Sequence, residues 1–337
     1  MKPIAAIFLT ICCLAHASFS CAASATAEPV VSIAFVGDIM LAEAPGKYVK
    51  QGRDPFAPFA ALLHSADIRV GNLECVISTL GSPEADKPFT FRAHPRNLTF
   101  LKQHFDALSL ANNHTGDFGP VAFDQMLTLL EKNKIGYFGG GANLSKAHTP
   151  FIIERHGLKI ALLGYDEFFP RSFEADVDKS GVAWSEDEQV QFDIARARKE
   201  FHADLVIPMM HWGWEHEGLA SPRQRQLARL MIDAGADAVV GSHPHVTQDI
   251  EHYQGKPIIY SLGNFIFDGF RSLDNNTGWL LRMELDRQGA RNWRIETAHI
   301  DKNGIPHPSQ EATNKCWQRG SEESIPCNSK TLNSAKK

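Results

Sequence analysis

The chain is poor in several features, and each shortage excludes a class of protein. It has no surplus of positive charge: 34 Lys+Arg stand against 39 Asp+Glu, a formal net charge of -5. A nucleic-acid binder of the ordinary kind needs spare cations to neutralise phosphates, so that class is set aside. It has no apolar run of the ~20 residues that a bilayer requires; the longest, Ile4 to Ala15, is about half that. It has no Gly-x-Ser-x-Gly nucleophile elbow and no Gly-x-x-x-x-Gly-Lys-Ser/Thr phosphate loop. Gly139-Gly140-Gly141 reads as a plain turn, because Leu144 stands where a dinucleotide fingerprint needs its third glycine. Cysteine is scarce, with six in 337 residues. What remains, 43% hydrophobic and 22% charged, is globular composition rather than disordered.

The first 27 residues read as an address. Lys2 precedes the short apolar run, and Ala25-Thr26-Ala27 offers a small-residue cleavage site before Glu28. Cys21 is a poor lipoprotein match. The expectation is a secreted or periplasmic protein with no membrane span after cleavage. The mature chain keeps Cys75, Cys316 and Cys327. In an oxidising compartment Cys316 and Cys327 are expected to bridge, and Cys75 to act as a buried small hydrophobe.

From residue 31 onward strand and helix patterns alternate. Val31–Val36, Ile68–Val70, Ala107–Ala111, Leu205–Ile207 and Ala238–Val240 read as strands. Phe56–Ala66, Asn97–Phe105, Val121–Lys134, Asp187–Phe201 and Arg223–Ala234 read as helices, the last closed by Gly235. Phe151 to Tyr165 reads as a hairpin turning at His156-Gly157. The alternation predicts an α/β fold. No linker divides residues 28–305, which are taken as one domain. Residues 306–337 are polar and predicted to be a loose tail.

The informative fact is where polar residues fall. Five apolar strands end in Gly or another small residue followed by metal-competent groups: Gly37-Asp38, Gly71-Asn72-Leu73-Glu74, Asn112-Asn113-His114, His211-Trp212-Gly213 and Gly241-Ser242-His243-Pro244-His245. In an α/β sheet, groups beyond the carboxyl ends of strands converge on one edge. Each glycine is expected to let the backbone turn sharply. The donors are N and O without thiolate, which suits Zn²⁺, Mn²⁺ or Fe²⁺ and does not choose among them. One or two such ions are expected.

These segments, in this order, resemble the calcineurin-like metallophosphoesterase superfamily, and more closely its CapA branch, the poly-γ-glutamate capsule synthesis proteins. Tyr260-Ser261-Leu262-Gly263-Asn264-Phe265 extends the match, which covers residues 31–268. The resemblance implies a four-layer α/β/β/α sandwich with a metal centre at one sheet edge. It implies metal ligation by Asp38, Glu74, Asn113, His211, His243 and His245, and His114 as the general acid. The superfamily's Asp-x-His is here Asp38-Ile39-Met40, and its bridging Gly-Asp is Gly71-Asn72 with Glu74 two residues on. Around this set, Glu215 is read as orienting a ligand, Asn264 as approaching the site, Trp212 and Trp214 as packing, and Arg92 with His94 as contacts for an anionic substrate.

Two functions stay open at this level. One is a metal-dependent hydrolase of a phosphoester or of an amide in an envelope polymer, using metal-activated water. The other is a non-catalytic accessory protein that binds polymer or partners, a poly-γ-glutamate synthetase among them, during assembly or export. An anionic polymer would meet long-range repulsion from a mature chain of net charge -6.

Overall fold

The computed structural model describes residues 28–309 and 314–327. The signal expected over residues 1–27 lies outside them, as does the end of the tail. Among the described residues no helix is long and apolar enough to cross a membrane.

Two sheets form the centre. The first has ten strands. Its parallel part holds Val31–Ile39, Ile68–Leu73, Ala107–Ser109 and Gly136–Phe138, and Asn264–Ile266 also pairs with the first of these. On the other side of Val31–Ile39 the long antiparallel strands Thr277–Asp286 and Gly289–Ile300 follow. The second sheet has six strands. Leu158–Asp166, Leu205–His211, Val239–Ser242 and Lys256–Ile259 run parallel, with an antiparallel strand at each edge.

The apolar strands read as continuous runs because both faces are covered. Val31, Ile33 and Phe35 point into the core between the sheets, where they meet Ile160, Leu162, Leu205, Ile207 and Met209. Ala34 and Val36 point the other way, against helices Leu98–His104 and Pro120–Asn133. In the second sheet Ala161, Leu163, Val206 and Met210 face helices Asp187–Lys199 and Pro222–Asp233. The layers are therefore α/β/β/α. Each fully buried Val, Ile, Leu or Phe contributes about 1.5–3 kcal/mol by leaving water.

Local chemistry sets several boundaries. Helix Pro222–Asp233 starts at a capping box of Ser221 with Gln224, and Gly235 follows it with φ +111°. The hairpin turns at His156 and Gly157, both left-handed, as a two-residue turn between twisted strands requires. The helix expected over Phe56–Ala66 is shorter: a 3-10 turn at Ala57–Phe59 leads into one helical turn, Ala60–Leu63.

The tail is not loose where it is described. Pro306–Pro308 and Lys315–Gln318 pair with Gly289–Ile300, and Ile325–Pro326 pairs with Lys315–Gln318. Two anchors account for this in a polar segment. Trp317, 3% exposed, stacks on His252 with ring centres 4.7 Å apart, and His252 in turn stacks on Trp293. Cys316 and Cys327 form the expected disulfide. Cys75 is the free buried thiol, pushed up to about 12 by burial.

Replacing both Cys316 and Cys327 by Ser is expected to free the edge hairpin, since closing a loop of this length contributes about 3 kcal/mol at most. Limited proteolysis should cut between residues 305 and 327 faster than in the parent chain. An unchanged cutting rate would show that strand pairing and Trp317 suffice.

Candidate metal centre

The carboxyl ends of the parallel strands in both sheets meet at one rim. Asp38 ends the first strand, and it lies opposite Asn72 on one side and Asn264 on the other. Successive strand residues alternate faces, so Asn72 and Glu74 lie on the same face. The Glu74 amide still donates to the Ile39 carbonyl, 3.0 Å, which continues the pairing past the strand's end. The two-residue offset thus carries Glu74 further toward the rim beside Asn72.

Two groups of ligand atoms result, each within 4.8 Å of one another: Asp38, Glu74 and His245, and Glu74, His211 and His243. Glu74 belongs to both. All five residues are buried. Both Glu74 carboxylate oxygens and His243 Nε2 have no hydrogen-bond partner. An unpaired carboxylate away from water is costly unless a cation compensates it. The donor set and these orphaned atoms fit a divalent metal ion, and Glu74 belongs to both groups.

The remaining geometry agrees. His211 Nε2 lies 3.0 Å from His243 Nδ1, 2.9 Å from Asn113 Oδ1 and 3.7 Å from Glu74 Oε1. His245 Nε2 lies 3.8 Å from Glu74 Oε1, while its Nδ1 faces Asn264 Oδ1 at 2.9 Å. Asn264 thus occupies the nitrogen that does not face Glu74 and orients the ring. Asn72 donates its amide to Asp38 Oδ1 at 2.8 Å and is itself held by Asn112, 3.0 Å. It positions Asp38. Met40 turns away into the outer core, and its Sδ accepts from Ala42 N.

Charge states follow burial. Desolvation, and then the Asp38 carboxylate, push Glu74 well above its ordinary range. Desolvation and the neighbouring imidazoles pull His211 well below its own, and burial draws His243 down to about 3. For Asp38 burial acts upward, but His245 and Asn72 outweigh it and hold the carboxyl low. Two imidazoles that bind protons weakly, one with an unpartnered nitrogen, and a buried carboxyl with no hydrogen-bond partner are what a cation takes up.

The backbone brings these groups together at a cost. His243 and His245 have φ of +99° and +57°, rare for residues with a side chain. Gly213 is left-handed, with φ +88°, as a sharp turn requires, but other rim glycines contribute in another way. Gly37 and Gly241 are not left-handed. A Cβ on Gly37 would stand 1.8 Å from the Gly263 carbonyl oxygen, and one on Gly241 would stand 2.0 Å from the Tyr260 oxygen. They permit close approach of strand to loop.

His114 stands beside the metal groups. Its Nδ1 donates to Asp117 Oδ2, 2.7 Å, and its Nε2 has no hydrogen-bond partner among the described residues. Asp117 is fully buried and also accepts from Phe91 N at 2.6 Å and from Lys87. Burial lowers the His114 imidazole against the pull of Asp117. Sequence reasoning missed Asp117 and Lys87. The three-residue spacing from His114 to Asp117 was the one available signal, and Lys87 had none.

Other expected residues lie elsewhere. Glu215 is exposed, 3.9 Å from His216, and bonds to no ligand. Arg92 donates to the carbonyls of Leu80 and Gly81 and covers the Phe118 ring, so its cation is committed away from the centre. His94 caps the turn Pro95–Asn97 through Arg96 N. Trp212 packs, donating to Tyr260 O at 2.8 Å, whereas Trp214 is 68% exposed. A surface groove of about 870 Å³ between helix Pro120–Asn133 and Phe151 holds none of these residues.

Residues 32–269 match the family described as bacterial capsule synthesis protein PGA_cap. The chain is 36% identical over 279 residues to the PGA biosynthesis protein CapA of Bacillus subtilis, covering 81% of this chain and 72% of that one. It is 32% identical over 250 residues to the capsule biosynthesis protein CapA of Bacillus anthracis, covering 71% of this chain and 60% of that one. Of solved structures, the sulfate thiohydrolase SoxB of Thermus thermophilus is similar at 12% identity over 82% of this chain and 56% of that chain, with a TM-score of 0.47.

Gly37→Ala is expected to disrupt the rim, because overpacking against backbone costs roughly 3 kcal/mol or more. The thermal midpoint and the metal uptake should fall together. Gly218→Ala, where nothing lies within 4 Å, should change neither.

Proposed function

The chain belongs to the bacterial capsule synthesis protein family PGA_cap, and on that premise we propose that it is a metal-dependent hydrolase of envelope-polymer synthesis, exported by a cleavable signal over residues 1–27. Its substrate is a phosphoester or an amide. The observation that carries the reading is the pair of ligand groups sharing Glu74, whose two oxygens are buried without partners.

Asp38, Glu74 and His245 would hold one divalent ion and Glu74, His211 and His243 a second, with Asn113 beside His211. When bound, such ions polarise the group under attack and acidify water. The chain's own residues do the rest. Asn72 and Asn264 hold Asp38 and His245 in register. Asp117 fixes the His114 tautomer and leaves Nε2 toward the substrate side. Burial outweighs the Asp117 charge and lowers that imidazole, and Asp117 limits the loss, favouring the protonated ring that a general acid needs. Lys87 in turn pairs with Asp117. Phe91, 4.4 Å from the His114 ring centre, limits its rotation.

Metal content of the purified mature protein is the first test. Two equivalents of Mn, Zn or Fe per chain are expected, falling to one or none in Glu74→Gln. The second test is hydrolysis of bis-p-nitrophenyl phosphate with added Mn²⁺ or Zn²⁺. His114→Ala should lower kcat by roughly 10²- to 10⁴-fold, and Asp117→Asn should lower it less, with KM unchanged in both. Equal rates in the parent and His114→Ala would remove the catalytic reading. Metal retention with no hydrolysis of any ester or amide would instead select the accessory role, binding polymer or synthetase partners.

A further inference from the structure

Beside the metal groups lies a cavity of about 400 Å³ that Asn113 and His114 border on the inner side. His114 is 6% exposed, and its unpartnered Nε2 belongs to the one nitrogen of that ring free for a ligand. The walls are aromatic. Phe89 and Phe169 are each 67% exposed, an unusual placement for large apolar rings. Phe169 is braced edge-on against Trp184 at 5.0 Å, and Phe168 lies 4.3 Å from the His243 ring. Phe168 and Phe169 are therefore held in place before any ligand arrives.

The mouth of the same cavity is acidic. Glu84, Asp86 and Glu215 line it. Glu84 and Asp86 form no ion pair and no side-chain hydrogen bond among the described residues, and Glu215 has only the exposed His216 at 3.9 Å. The one permanent cation among the lining residues, Lys87, is spent on Asp117 and on the Asn113 carbonyl at 2.6 Å. Free negative charge thus surrounds exposed ring faces, and ring faces also attract cations.

We propose that this cavity seats the leaving side of the substrate and selects an apolar group that bears an amine, against a run of free carboxylates. This rests on the hydrolase reading for what the seated group is, because His114 is the residue read as giving the proton to the leaving atom. The substrate class that follows is an ester whose leaving alcohol, or an amide whose leaving amine, carries a further amino group on its alkyl part. A polyanionic segment enters, if at all, from the metal side.

Binding of three matched probes to the full mature chain tests this: hexylamine, hexanol and hexanoate, followed by calorimetry and by saturation-transfer NMR. Hexylamine is expected to bind about tenfold tighter than hexanoate, from charge and ring attraction combined. The triple variant Glu84→Gln, Asp86→Asn, Glu215→Gln should bring the two within about twofold, because the charge term is then gone. Phe169→Ala should weaken hexylamine and hexanol alike. Hexanoate binding as tightly as hexylamine overturns the proposal, as does hexylamine binding that the triple variant leaves unchanged, or no hexylamine binding at all. None of the probes is hydrolysed, so the cavity's preference stands or falls separately from turnover.

Discussion

A carboxylate with both oxygens buried and unpartnered, Glu74, sits where the two sheets meet, and the arrangement of the rim can be derived from that one group. Removing an isolated carboxylate from water is costly, and the neighbours divide the problem between them. His211, His243 and His245 bring nitrogen lone pairs within reach, and Asp38 adds a second negative charge. That collection is destabilised as a bare set of side chains and stabilised by positive charge placed among them. The burial that raises Glu74 lowers His211 and His243, so Glu74 holds a proton more tightly than in water and the two imidazoles less tightly.

Such a site needs a stiff frame, and the frame is built from close contact. Strands buried on both faces leave little room for adjustment, and the rim is locked where Gly37 meets Gly263 and Gly241 meets Tyr260. Amides of Asn72, Asn112 and Asn264 then hold the ligand side chains. The left-handed backbone at His243 and His245 is sustained by the same packing. Outside this ring, His114, Asp117 and Lys87 form a separate charged chain at the edge of the aromatic, acid-mouthed cavity. The centre and the cavity are adjacent but answer to different physics: coordination in one, and charge with ring contact in the other.

Much of the layer order was legible in the residues. Continuous apolar segments such as Val31–Val36 and Leu205–Ile207, separated by amphipathic helices, describe strands covered on both faces. The ligand types were legible as well, because Asp, Asn and His recur just past strand ends. Less legible were groups whose role depends on a distant partner. Arg92 reads as a free cation until Leu80 and Gly81 offer their carbonyls. Glu215 reads as a neighbour of His211, yet the loop carries it to the surface. Trp317 and the disulfide dock a segment whose composition alone suggests a loose end.

By itself the sequence determined the alternation of elements, the turn at His156-Gly157, the Gly235 stop of the helix before it and the supply of N and O donors, since each depends on residues close together in the chain. Only the tertiary structure decided that Glu74 belongs to both ligand groups, that Met40 leaves the site, and that Asp117 stands behind His114. Those outcomes depend on strand stagger and on distances of a few ångströms between residues 38, 74, 211, 243 and 245, and no local periodicity carries that information.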